Sequence, residues 1–279
     1  MAADRKKIRM IALDLDDTTL RTDKSMAERT EKALAGAAEQ GVIVVVSTGR
    51  VLNSLPDNVK SVPGIRFVIN SNGACINDLE TGETLYKNFL DPEKVGQIIE
   101  LLAQYDFPVE VFTGGEAYMN ESDYNKIKQN PSKYRSAEYI LWSRRPVPDV
   151  LELLRLNADI IENISVNFRK PEEKNRMREL LAEIGGITVT SSVYYNIEIG
   201  GPNTSKAEAL RVLMKRFGIS AEELMACGDS PNDAAMVEMA GIGVAVANAH
   251  ERIRQIADYI TDSNDNDGVA KAIEKFVLT

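Results

Sequence analysis

The chain has 279 residues, of which 44% are hydrophobic and 27% charged, and it carries a net charge of -9 and one histidine. This length suits two globular domains with cores of their own. The acidic balance argues against a nucleic-acid partner, lone His250 against histidine-built metal sites and serine–histidine hydrolases, and the absence of a long apolar run against a membrane span.

Near the N-terminus, basic residues precede a short apolar stretch, but aspartates follow too soon for a signal peptide, so residues 8–13 are predicted to be a buried strand. A helix is predicted over 25–40, with Ala33, Leu34, Ala37 and Ala38 on one side and Gly41 as its stop. Residues 42–46 are β-branched throughout, as suits a strand covered on both faces of a parallel sheet, and 67–69 form another apolar run ending in Asn70-Ser71-Asn72-Gly73. The last segment repeats this style. It reads as a helix over 205–217 closed by Gly218, a strand over 224–227, a helix opened by Ser230-Pro231, and a strand over 243–246. A capping box at Asn248 and Glu251 then starts a helix, and a short strand at 259–261 and a helix over 269–277 close the chain. Strands alternating with helices predict an α/β doubly wound parallel sheet.

The middle of the chain differs. It holds most of the aromatic residues, strands predicted at 109–113, 160–168 and 186–190, and helices starting near Asp91-Pro92 and Lys170-Pro171. We read 84–192 as an α+β domain inserted into a discontinuous core of 1–83 and 193–279. Cys75 and Cys227 have no metal-type spacing, which suits a reduced, cytoplasmic protein.

Four short motifs carry chemistry. Asp14-Leu15-Asp16-Asp17-Thr18-Thr19-Leu20 crowds carboxylates at a strand end, where they raise one another's pKa unless a cation lies between them. Gly228-Asp229-Ser230-Pro231-Asn232-Asp233 repeats this after another strand, and oxygen ligands from two strand ends suit Mg²⁺. Ser47-Thr48-Gly49-Arg50 offers a hydroxyl and backbone N–H groups to an anion. Lys206 begins a helix, where its charge opposes the dipole unless it faces anions. Taken singly, each motif also fits an ordinary turn, cap or solvated side chain.

In this order and at these strand ends, the motifs resemble the haloacid dehalogenase superfamily, most closely its Cof-type sugar-phosphatase branch. The resemblance covers the whole chain, including Asn72-Gly73-Ala74 and Glu198-Ile199. It implies a nucleophile at Asp14, a general acid/base at Asp16, a phosphate-binding hydroxyl at Thr48 and the motif lysine at Lys206. It further implies Mg²⁺ held through Asp14, Asp16 (by its backbone carbonyl) and Asp229, with Asp233 in the same acidic motif, and substrate contacts from Gly49, Asn72 and Asn232. Residues 51–205 separate the second motif from the third, which matches a type 2 cap that closes over the site and reads the leaving group. Thr19, Val51 and Ala207 depart from the common pattern without touching a catalytic position. The expected activity is Mg²⁺-dependent hydrolysis of a small phosphorylated metabolite, a sugar phosphate foremost, by a monomer or homodimer. The rivals are a phosphomutase on the same scaffold and a non-catalytic, aspartate-phosphorylated signalling or binding module.

Overall fold

The computed structural model describes residues 7–133 and 137–278, so the start of the basic N-terminal stretch lies outside the described residues. The chain divides into two compact units, one of Met1–Gly49, Leu55–Lys87 and Ser205–Thr279, the other of Arg50–Ser54 and Asn88–Thr204.

The first unit is built on an eight-stranded sheet. From one edge its order is Tyr259–Ile260, Ile242–Ala245, Leu224–Gly228, Met10–Leu13, Ile43–Ser47, Ile65–Asn70, Cys75–Asp78 and Thr84–Lys87. The first six are mutually parallel and the last two antiparallel. This is the doubly wound α/β class expected from the alternation of strands and helices. Val44, Val45 and Val46 are fully buried, as the β-branched run required, because helices cover both faces of a parallel sheet. One face packs Met10, Ala12, Val45, Phe67 and Ala226 against Leu210 and Leu213 of the helix Lys206–Phe217. That helix ends at Gly218 in the left-handed conformation, as its sequence indicated. The strand order puts Met10–Leu13 beside both Ile43–Ser47 and Leu224–Gly228, so the three acidic or hydroxyl-bearing motifs leave neighbouring strands at the same end.

One local expectation is corrected. The helix Glu251–Ile256 is capped by His250, whose Nδ1 accepts from the Arg252 N–H at 3.3 Å, and not by Asn248. Asn248 instead donates to the Asp17 carbonyl at 2.7 Å and accepts from the Asn264 N–H at 3.0 Å. Ser230-Pro231 does open a helical segment, first one tight turn, Pro231–Asp233, and then the helix Ala234–Met239.

The second unit is a six-stranded sheet in the order Thr188–Thr190, Asn196–Gly200, Ile161–Asn167, Val109–Thr113, Glu116–Asn120 and Arg144–Val147. Asn196–Gly200 pairs antiparallel with Ile161–Asn167, so this unit runs on past residue 192, where composition drew the boundary. Its apolar face (Val109, Val111, Ile164, Val166, Ile197, Ile199) packs with residues of the helices Pro92–Leu102, Val150–Leu156 and Pro171–Ile184. The alternate positions form a buried polar row, Glu110, Ser165 and Glu198, in register across three strands. Each carboxylate has a partner: Arg144 lies 2.7 Å from Glu110, and the Ser192 hydroxyl donates to Glu198 at 2.7 Å.

Candidate active site

Asp14 is the first residue beyond the buried strand Met10–Leu13, and its N–H prolongs the ladder to the Cys227 carbonyl at 3.0 Å. The chain then makes one widened turn over Leu15–Thr19, closed by the Leu20 N–H on the Leu15 carbonyl at 2.8 Å. Asp17 takes a left-handed conformation in that turn (φ 59°), and the Thr19 hydroxyl ties the turn back to the Asp14 carbonyl at 2.5 Å. The turn separates two neighbouring carboxylates by environment. The Asp14 side chain is 9% exposed, whereas that of Asp16 is 38% exposed and lies 3.2 Å from Lys24 Nζ.

The second acidic loop leaves the adjacent strand at Gly228. A Cβ there would lie 2.5 Å from Asp233 Cβ, so only glycine lets the loop fold this tightly. Asp233 Oδ2 accepts from the N–H groups of Asp229 (3.1 Å) and Ser230 (3.0 Å). Asp229 is gripped by two hydroxyls, those of Thr18 and Ser230, each at 2.8 Å. The Ser230 hydroxyl thus also serves Asp229, besides its place at the N-cap of the turn Pro231–Asp233.

Lys206 enters at the start of its helix, behind Ser205, whose hydroxyl caps the Glu208 N–H at 3.1 Å. Gly73 (φ +104°) lets the loop after Asn70 press on this start, since a Cβ would fall 2.2 Å from the Ser205 carbonyl oxygen. Lys206 is buried, and its Nζ lies 2.5 Å from Asp14 Oδ1 and 2.6 Å from Asp233 Oδ1. Burial and the helix dipole both disfavour an ammonium here, yet the two carboxylates outweigh them and raise its pKa above the ordinary value.

Carboxylate oxygens of Asp14, Asp229 and Asp233 all lie within 4.8 Å of one another. One ammonium faces three carboxylates, and negative charge is left unmatched in a buried site. Burial pushes the Asp14 carboxyl well above its ordinary range, with Asp233 and Asp229 adding to the push and Lys206 opposing it. Asp229 is pushed up to about 6, by burial first and then by Asp233, although Ser230, Thr18 and Lys206 pull the other way. Hard oxygen donors from two strand ends, crowded enough to resist ionisation, fit a divalent cation such as Mg²⁺.

Thr48 and Gly49 follow the strand on the other side of Met10–Leu13. The buried Thr48 accepts on its carbonyl from the Asn72 N–H at 3.1 Å, and Gly49 backs closely onto the Asn72 amide. Asn232 Nδ2 donates to Asn72 Oδ1 at 3.0 Å, which joins the third loop to the second acidic one. Among the described residues, the buried acceptors Ser47 Oγ and Asn232 Oδ1 are among those in this unit without a hydrogen-bond partner. Arg50 belongs to the second unit, where its guanidinium lies 4.5 Å from the Tyr139 ring centroid and donates to the Ser54 carbonyl at 3.1 Å.

The structure therefore gathers Asp14, Asp229, Asp233 and Lys206 at one point and links Thr48, Asn72 and Asn232 by hydrogen bonds beside it. The Asp16 carboxylate is not in the three-carboxylate group. Thr18, Ser230, Asn248 and Lys24 escaped the sequence reading as site residues. Thr18 and Ser230 lie inside the quoted motifs, so their position was visible while their partner was not. Nothing in the sequence joins Lys24 to Asp16.

Comparison with known proteins points to one family. The profile of the haloacid dehalogenase-like hydrolases matches residues 11–273. A 5-amino-6-(5-phospho-D-ribitylamino)uracil phosphatase of Bacillus subtilis, YcsE, is 31% identical over 97% of this chain and 96% of its own. The B. subtilis phosphatase YwpJ is 32% identical over 94% of this chain and 98% of its own. The solved structure of a haloacid dehalogenase-like hydrolase from B. subtilis superposes with a TM-score of 0.82 at 31% identity, covering 97% of this chain and 100% of that one.

Proposed function

The chain belongs to the haloacid dehalogenase-like hydrolases, and from that premise we propose that it hydrolyses phosphate monoesters of small metabolites with Asp14 as nucleophile. The observation that carries this reading is the meeting of three carboxylates and a buried lysine at the ends of neighbouring strands. A phosphoryl group is transferred chiefly by alignment and charge neutralisation, and this cluster supplies both.

In the reaction we propose, an Asp14 carboxylate oxygen attacks phosphorus in line while the bond from phosphorus to the leaving oxygen breaks. Asp16 gives its proton to that oxygen as the alcohol departs. Water then attacks the aspartyl-phosphate, its proton passes to Asp16, and inorganic phosphate and the Asp14 carboxylate are restored. Lys206 holds Asp14 against rotation and offers positive charge to the equatorial oxygens, and Thr48, Gly49, Asn72 and Asn232 orient the phosphate. Asp14, Asp229, Asp233 and the Asp16 carbonyl would hold Mg²⁺, which would further neutralise charge on the phosphoryl group. Thr18 and Ser230 orient Asp229 from behind.

The substrate class is small phosphorylated metabolites, sugar and polyol phosphates first, because one relative acts on a phosphoribityl compound. The buried Cys75 and Cys227 suit a reducing cytoplasmic setting. The test is phosphate release from a panel of phosphorylated metabolites and p-nitrophenyl phosphate, with Mg²⁺ or with EDTA, by the wild type and Asp14→Asn. Release that needs Mg²⁺ and vanishes in Asp14→Asn is expected. Wild-type rates in the variant would overturn the nucleophile, and no release from any ester would overturn the activity.

A further inference from the structure

The turn that follows the nucleophile loop is built with more care than a surface link requires. It is closed by the Arg21 N–H on the Ser25 carbonyl at 2.9 Å and the Lys24 N–H on the Arg21 carbonyl at 2.8 Å. Asp23 folds back onto the Ser25 N–H at 2.9 Å. The turn is pinned to a distant segment, with Thr22 bound through its N–H and hydroxyl to Asp265 at 2.9 and 2.8 Å and Arg21 to Asp267 at 2.9 Å. At its tip Lys24 sits at φ +67°, a left-handed conformation that non-glycine residues other than asparagine and aspartate seldom take. The Lys24 ammonium lies 3.2 Å from Asp16 Oδ1 and 3.3 Å from Asp17 Oδ1. Asp17 is itself left-handed, and its carbonyl is held by Asn248 at 2.7 Å.

We propose that Lys24 is a positioning residue that fixes the Asp16 carboxyl group for proton transfer to the leaving oxygen. Ion pairs this exposed contribute little to stability, with the side chains of Lys24 and Asp16 43% and 38% exposed, so stability alone does not account for the arrangement. Its consequence is orientation. The ammonium tethers one oxygen of the half-exposed Asp16 side chain, and its loss removes that tether from the group read as the proton donor. Small displacements of a reacting group are costly in rate. Lys24 touches neither phosphate nor nucleophile in this scheme and acts through Asp16. The inference rests on the reading of Asp16 as the proton donor.

The experiment compares kcat/KM for two esters in wild type, Lys24→Met, Lys24→Arg and Asp16→Asn. One ester is a primary alkyl phosphate from the panel above, whose alkoxide must be protonated as it leaves. The other is p-nitrophenyl phosphate, whose phenolate departs without a proton. Lys24→Met is expected to lower kcat/KM for the alkyl ester about tenfold more than for the aryl ester. Asp16→Asn should show the same bias, larger, and Lys24→Arg should recover most of the loss. Equal losses on both esters, or none on either, would overturn the role of Lys24 while leaving the phosphatase reading intact. If Asp16→Asn cleaves the alkyl ester at the wild-type rate, the assignment of Asp16 fails, and that of Lys24 with it.

Discussion

Replacing Asp229 with asparagine should move activity and metal-free stability in opposite directions. The Asp229 carboxyl is pushed up to about 6 from an ordinary value of 3.8, by burial first and then by Asp233. A carboxyl raised on folding holds a proton that the unfolded chain has already released. Its contribution is therefore fully present below the ordinary value and is lost as pH rises through about 6. At about 1.36 kcal/mol for each pH unit, that gap amounts to about 3 kcal/mol by pH ~8. The amide of asparagine carries no charge, keeps an oxygen for the Thr18 hydroxyl and can donate to Ser230. Because those bonds weaken without the carboxylate charge, the net gain should be about 1–3 kcal/mol in EDTA at pH ~8 and near zero at pH ~4, where the wild type is protonated too. For a chain of this size each kcal/mol shifts Tm by about 2–4 °C. Mg²⁺ at about 100 times its Kd should stabilise the wild type by about 2.7 kcal/mol and the variant by much less. Phosphate release by the variant should fall at least about 10²-fold. Thermal melts in EDTA and in Mg²⁺ across this pH range decide the matter. A variant that melts below the wild type at pH ~8 in EDTA, or that gains as much from Mg²⁺, would refute the crowded-carboxylate account.

Lys206→Met should abolish phosphate release and cost about 3–5 kcal/mol in urea denaturation at neutral pH, because it strands Asp14 and Asp233 as buried, unpaired carboxylates. Thr18→Val removes one of the two hydroxyls that orient Asp229, and the Mg²⁺ concentration for half-maximal phosphate release should rise about 10–100-fold.

Much of the site was legible because its chemistry is local in sequence. Carboxylates two to four residues apart at a strand end, a lysine at a helix start and a hydroxyl after an all-β-branched run each break a local rule. A break of that kind signals a residue kept for reasons other than folding. Asp14, Asp229, Asp233 and Lys206 were found this way, and they meet. The pairing of hydroxyls with carboxylates was not legible. Ser230 sits at the N-cap of the turn Pro231–Asp233, and no local pattern shows that its hydroxyl also donates to Asp229. Asn248 misled for a similar reason, since its side chain spans to Asp17 and Asn264, far away in sequence.

By itself, then, the sequence determined the doubly wound class, the six parallel strands' segments and the residue types of the cluster, because apolar runs, caps and left-handed glycines are properties of short stretches. Only the tertiary structure decided which strands became neighbours, and so that Asp14 and Asp229 approach one another across 215 positions of chain. It alone decided that the strand Asn196–Gly200 joins the second sheet and that Lys24 lies over Asp16. Strand order and side-chain pairing arise from the burial of whole faces against one another, and no window of sequence contains both partners of such a contact.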